Sequence, residues 1–291
     1  MNIERQILRE NDRNICYREF NVDKYIFTKT STSVNANAAE EYYFWKYFFA
    51  LNTGMIPFCN NCISRSKTIQ YEWLDGYTQL SGKYTSQILE KILWYIDLNA
   101  RVNTFDNLKY DNKIVALSEK RLQQQLAYYA DIREKAKILY NSLISKTLFD
   151  EMFDASLNVL CCKDVLCHGD LGRSNILIKD ADIKIVDFEY SMFSAKELDY
   201  GRLLSSIFLS YQNNIVKKNL FFEMVAMIAK SPLKLDKLAR CAGLQLIMRN
   251  IHAFVNKSRI SNVSYDQFNI AIRLLSVKDN ITANKVIDIF Q

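Results

Sequence analysis

The stretch LCHGDLGRSNILIKDADIKIVDFEYS, from Leu166 to Ser191, holds three oxygen-bearing side chains at short spacing: Asp170, Asn175 five residues on, and Asp187 after two apolar runs. Carboxylate and amide oxygens are the ligands that a hard divalent cation such as Mg2+ takes. A carboxylate can also accept, or orient, the proton of an attacking hydroxyl. Phosphoryl transfer needs both functions, because it asks for positioning and charge neutralisation more than for covalent chemistry. Asp170 is read as the catalytic group that faces the acceptor, and Asn175 and Asp187 as catalytic metal ligands. Singly, Asn175 would serve to close a loop and Asp187 to cap a helix, since both residue types are common there. Jointly, in this order, the three point to catalysis.

The surrounding elements must bring these groups together. NILI and IKIVDFE read as strands turned by KDAD. Such a hairpin carries Asp187 back toward Asn175. Upstream, ICYREFNVDKYIFTKTS holds two β-rich runs around NVDK. NANAAEEYYFWKYFFALN reads as a helix with acidic residues in its first turn, where the helix dipole favours them. KTIQYEWLDG reads as a strand stopped at Gly76. Residues 85–103 and about 115–145 then carry apolar residues at helical spacing, and more helices follow from Ala195. The architecture predicted is α+β. A small β-rich amino-terminal lobe with a hinge spans residues 1–76, and a larger, mainly helical lobe with the catalytic loop and metal site spans 77–291. A connector near 71–77 joins them, and a cleft between lobes is a favoured ligand site.

The joint pattern H-x-D-x4-N, an apolar strand, then D-F-E resembles the catalytic core of the aminoglycoside phosphotransferase and choline kinase-like superfamily. These are small-molecule kinases with a protein-kinase-like two-lobe fold. The lobe order fits over most of the chain, and DFEYS is similar to the form in choline and ethanolamine kinase-like members. The resemblance implies ATP and Mg2+ as cofactors. It also implies a strand lysine that meets the α- and β-phosphates and pairs with a helix glutamate. Lys29 in YIFTKTS fits that lysine. Glu40 and Glu41 both fit the glutamate, with Glu41 preferred because its helical face leads on to Trp45 and Phe48. IQYEWLDG resembles the family's hinge, so the backbone of Glu72, Trp73 and Leu74 would bond the purine. By the same resemblance His168 shapes the catalytic loop, Asp199 in ELDYGRLL caps a turn near it, and Glu189 touches the metal or faces the acceptor.

Two departures from the kinase pattern matter. No glycine precedes Gly54, so the G-x-G-x-x-G lid is absent, and no G-x-x-x-x-G-K-[ST] loop occurs. The phosphate-covering turn then falls on RENDRNICY, where Arg13 or Asn14 would contact phosphate, although surface charge is the simpler account. Protein kinases usually place a lysine two residues after the catalytic aspartate. Here Gly172 stands there and Arg173, a second candidate for the terminal phosphate, follows. The only prolines are Pro57 and Pro232, so no A-P-E-like motif exists. Both facts favour a small-molecule acceptor over a protein. A non-catalytic pseudokinase would lack one of Asp170, Asn175 and Asp187, and all are present.

Composition narrows the classes further. The chain has 291 residues, 49% hydrophobic, enough for a sizeable core and against long disorder. The net charge of +6 is spread along the chain, which suits an anionic ligand such as a nucleotide. It lacks the dense basic stripe of a nucleic-acid binder. The amino terminus has no secretory pattern, and apolar runs such as LFFEMVAMIAK are broken by charge, so no membrane span is expected and a cytoplasmic protein is. Seven irregularly spaced cysteines suggest reduced thiols, and Cys59-x-x-Cys62 lacks the second pair that a zinc site needs. The expected acceptor is an amino alcohol such as choline or ethanolamine, or a sugar. An aminoglycoside is the alternative, disfavoured by the positive net charge. Trp94, Tyr95, Tyr211, Phe221 and Phe222 would suit a cage for a cationic amine, but aromatic residues at helical spacing are usually core. The sequence leaves the oligomeric state open.

Overall fold

A computed structural model of the chain describes residues 5–10, 14–21, 24–32, 38–80, 85–139, 144–212, 218–257, 262–278 and 281–291. Its first elements are β1 (Arg5–Glu10), β2 (Asn14–Asn21), β3 (Lys24–Ser31), α1 (Glu41–Phe49), β4 (Cys59–Ile63), β5 (Thr68–Glu72) and β6 (Thr78–Gln79). Helices α2 (Ser86–Val102), α3 (Phe105–Leu108), α4 (Asn112–Leu139) and α5 (Lys146–Leu160) follow. Four short strands come next: β7 (Val165–Cys167), β8 (Ile176–Lys179), β9 (Asp182–Ile185) and β10 (Met192–Ser194). The chain ends in α6 (Glu197–Gln212), α7 (Lys218–Lys230), α8 (Leu235–Lys257), α9 (Asn262–Leu275) and α10 (Ala283–Phe290).

Two compact units form, residues 1–80 with 174–191, and residues 81–173 with 192–291. The sequence suggests one break at 76 and puts the whole of 174–191 in the helical half; the structure differs on both points. Backbone pairing explains why. β8 pairs with β6 through Thr78↔Ile178 and Gln79↔Leu177, and the Leu80 N–H donates to the Ile176 carbonyl at 2.8 Å. The Ile185 N–H donates to the Met55 carbonyl at 2.7 Å. The hairpin that carries Asp187 is therefore stitched to the amino-terminal segment.

The first unit is built on an antiparallel sheet of order β1-β2-β3-β5-β4. β2 and β3 pair without interruption from Asn14↔Ser31 to Asn21↔Lys24. Helix α1 buries Glu41, Phe44, Trp45 and Phe48, a stripe at i, i+3, i+4 and i+7. In this sheet β1 and β4 were not anticipated, and outside it neither were the short β6, β7 and β10. In β1, RQILRE is exposed at every residue, so no alternation marks it. In β4, CNNCI is short and partly polar. Both are strands because a neighbouring strand offers backbone partners.

The second unit is helical apart from the antiparallel pair β7–β10. Thr85 caps α2 by accepting the Ile88 N–H, and Ser145 caps α5 by accepting the Leu148 N–H. Two glycines set its helix crossings. A Cβ at Gly201 on α6 would lie 2.5 Å from Cβ of Cys241 on α8, and one at Gly243 on α8 would lie 3.0 Å from the Ala271 carbonyl on α9. The rings of Phe208, Phe221 and Phe290 cluster with centroids 4.9–5.5 Å apart. Tyr95 and Phe221 are buried core residues, whereas Trp94 is 49% exposed. No described helix is long and apolar enough to cross a membrane.

Candidate active site

Lys29 on β3 is the centre of the charged cluster in the first unit. Its Nζ lies 3.0 Å from Oε2 of Glu41, 2.6 Å from Oδ1 of Asp187 and 2.8 Å from Oε2 of Glu189. β3 is interior to the sheet, between β2 and β5, which is why this side chain is buried. Burial draws the ammonium down, but Asp187, Glu41 and Glu189 outweigh it and hold it well above the ordinary lysine range. Between the two glutamates, the structure joins Glu41 to Lys29. Glu41 is 1% exposed and also accepts from the Tyr71 hydroxyl at 2.9 Å and the Phe188 N–H at 3.1 Å. Burial pushes its carboxyl up, against the pull of Lys29.

Asp187 has φ 71° and ψ 66°, the left-handed region, which Asp visits more readily than most residues. It precedes a short 3-10 turn, Phe188–Tyr190, but its side chain caps nothing there, so the cap role does not account for it. The turn is pinned by α1 instead. Phe188 donates its N–H to Glu41 and stacks on Phe48 with centroids 4.9 Å apart. Asn175 ends another 3-10 turn, Arg173–Asn175, and is buried. Its carbonyl accepts the Val186 N–H at 3.0 Å, extending the β8–β9 ladder by one rung. The hairpin thus brings Asn175 and Asp187 to one end. Glu41, Asp187 and Glu189 bring carboxylate oxygens within 4.8 Å of one another; Glu41 is committed to Lys29, Tyr71 and Phe188, which leaves Asp187 and Glu189 as hard donors of the kind Mg2+ takes.

Asn14 is not a surface residue. It is 6% exposed, donates from Nδ2 to Oε2 of Glu189 at 3.1 Å, and accepts from Ser31 Oγ at 2.9 Å. It positions Glu189, and Arg13 lies outside the described residues. At the expected hinge, the Glu72 N–H donates to the Phe58 carbonyl at 2.9 Å, and Glu72 Oε1 accepts the Phe58 N–H at 2.9 Å. Glu72 therefore ties β5 to the start of β4. Trp73 lies under the Arg18 guanidinium at 5.4 Å, and the Leu74 carbonyl accepts from the Tyr77 N–H.

In the second unit, the loop after β7 carries Asp170. Asp199 on α6 accepts the His168 N–H at 2.8 Å and the Gly169 N–H at 3.0 Å, one on each carboxylate oxygen. His168 is fully buried, and its Nδ1 accepts the Asp170 N–H at 3.3 Å. Two residues that the sequence reading passed over act on the same loop. Ser206 Oγ accepts the Arg173 N–H at 2.9 Å, and Arg202 Nη1 lies 3.7 Å from Oδ1 of Asp170. Asp199, Arg202 and Ser206 fall at i, i+3 and i+7 on α6, so one helix face holds the loop. That spacing is the signal that would have found them.

Comparison with known proteins places the fold. No family model and no curated protein matches the sequence. Among solved structures, the chain is similar to an ethanolamine kinase of Plasmodium vivax, at 16% identity and TM-score 0.60, over 93% of this chain and 81% of that one. It is similar to a spectinomycin phosphotransferase solved with ADP and spectinomycin, at 14% identity and TM-score 0.58, over 97% and 93% of the two chains. It is also similar to an amicoumacin kinase solved with AMP-PNP and Ca2+, at 12% identity and TM-score 0.59, over 97% and 91%. The chain shares the α+β fold of these small-molecule kinases.

Proposed function

We propose that this chain is an ATP-dependent phosphotransferase that moves the γ-phosphate to a hydroxyl of a small molecule. The observation that carries the reading is the buried Lys29 held by Glu41 at 3.0 Å and Asp187 at 2.6 Å. A lysine so fixed is a preformed contact for the α- and β-phosphates, and a helix carboxylate that orients it is the arrangement phosphoryl transfer uses. Asp187 and Asn175, with Glu189 beside them, are the residues that would hold Mg2+. When bound, the metal neutralises charge on the β- and γ-phosphates. The purine would bond the backbone of the segment 72–74. There the Glu72 N–H is already engaged by Phe58, which leaves Trp73 and Leu74 the better candidates.

In the reaction the acceptor oxygen attacks the γ-phosphorus. A new O–P bond forms as the bond to the bridging β,γ-oxygen breaks, and ADP leaves. The hydroxyl proton passes to Asp170. Asp199 fixes the backbone just before that aspartate, so the carboxylate needs little reorganisation when the acceptor binds. The proteins of similar fold are named for ethanolamine, spectinomycin and amicoumacin, so this fold serves amino alcohols and antibiotics alike. For this chain an amino alcohol or a sugar is the acceptor class proposed. ADP release from Mg-ATP, measured across amino alcohols, sugars and aminoglycosides with casein as control, tests it, with the product identified by mass spectrometry. Turnover stimulated by casein alone would overturn the reading.

A further inference from the structure

Arg202 on α6 is 3% exposed. Its Nη1 lies 3.7 Å from Asp170 Oδ1, its Nη2 donates to Gln125 Oε1 on α4 at 3.2 Å, and its Nε–H has no acceptor. The titratable groups around the guanidinium include Tyr129 from α4, which is hydrogen-bonded to it, Asp170 from the loop, Cys167 from β7, Asp199 from α6 and Cys241 from α8. His168 faces Asp170 from within the loop. A buried cation with an unfilled donor weakens a fold relative to an apolar residue of similar volume. Burial alone therefore gives no reason for an arginine here; its partners do, and toward Asp170 the charge matters because an opposite charge within about 4–6 Å favours the ionised carboxylate. The planar fork, anchored on Gln125 by one nitrogen, turns another toward Asp170 and restricts where that carboxylate can sit.

We propose that Arg202 is a positioning residue for Asp170, holding its carboxylate ionised and aimed to receive the hydroxyl proton. This rests on the reading of Asp170 as proton acceptor. Titration of the Asp170 side-chain carboxyl by 13C NMR, assigned with Asp170→Asn, reads the pair without any turnover. Arg202→Met should move that titration up by about 1 unit or more. An unmoved titration overturns the inference whatever the chain's activity. In turnover with Mg-ATP, Arg202→Met should lower kcat about 100-fold, leave KM for ATP unchanged, and shift the acid limb of kcat/KM to higher pH. Arg202→Lys should recover part of kcat. A wild-type kcat and acid limb in Arg202→Met would also overturn it. The melting temperature of Arg202→Met should fall, because Gln125 and Asp170 lose their buried partner, and Arg202→Gln carries both readouts if the methionine variant fails to fold. An Asp170→Asn protein as active as wild type would instead sink the proton-acceptor reading, and the role of Arg202 with it, even where the titration moves.

Discussion

Replacing Glu41 separates hydrogen bonding from charge in the buried cluster. Its carboxylate accepts from Lys29 Nζ at 3.0 Å, the Tyr71 hydroxyl at 2.9 Å and the Phe188 N–H at 3.1 Å. Glu41→Ala takes the acceptor from all three. A buried donor deprived of its acceptor costs about 1–3 kcal/mol, but Lys29 keeps Asp187 and Glu189, so its share is small. The expected loss is about 3–5 kcal/mol, in the range for breaking one side of a buried pair. Glu41→Gln keeps an amide oxygen for Tyr71 and Phe188 and gives up mainly the charge, for about 1–2 kcal/mol. At about 2 °C per kcal/mol for a chain of this size, the alanine variant should melt roughly 6–10 °C below wild type and the glutamine variant roughly 2–4 °C below. Thermal melts by circular dichroism, with urea midpoints as a check, give both numbers. Glutamine as damaging as alanine would refute the view that the bonds to Tyr71 and Phe188 outweigh the charge. An alanine variant that melts with wild type would refute the cluster as a stabilising element altogether.

Asp170→Ala should abolish transfer while leaving nucleotide binding intact, whereas Asp187→Ala should weaken Mg-nucleotide binding; calorimetric titration of both distinguishes them, and equal binding loss would contradict the assigned roles. Gly201→Ala should destabilise by about 1–3 kcal/mol, because its Cβ would meet the Cys241 Cβ at 2.5 Å and the Ala242 nitrogen at 2.9 Å; a neutral melt would show that α6 and α8 separate freely. Burial, then Glu41, raises Tyr71 well above 10.0, and the carboxylates raise Lys29 well above 10.5 against burial. Both folded states hold their protons longer than the unfolded chain, so this stability is full below about pH 10 and is lost as pH rises above it. Urea midpoints between pH 9 and 11 should fall, and Tyr71→Phe should flatten part of that slope.

The loop that carries Asp170 and the hairpin that brings Asn175 and Asp187 to one end are legible because the spacing in that stretch, with apolar runs between, admits few other arrangements. Lys29 is legible from its place at the end of a β-rich run. Glu41 against Glu40 is a choice between neighbours on the same helix start. It turns on which residue shares the buried stripe with Phe44 and Phe48, and the aromatic periodicity already leaned that way. β1 escapes because every residue in it is exposed, and a strand with no buried face has no alternation to read. Asn14 looks like an ordinary turn residue until β2 and β3 are paired and Ser31 meets its side chain.

By itself the sequence determined the longer helices, the strands β2, β3 and β5, the hairpin that carries Asp187, and the kinds of side chain available for metal and proton chemistry. All of these follow from local periodicity and short-range spacing. Only the tertiary structure decided that residues 174–191 group with residues 1–80, that Asn14 serves Glu189, and that α6 grips the loop through Asp199, Arg202 and Ser206. The physical reason is one of range. Backbone pairing between β6 and β8 and the approach of α6 to the loop join residues far apart in the chain, and although Asp199, Arg202 and Ser206 share one face of α6, nothing local says which segment that face meets.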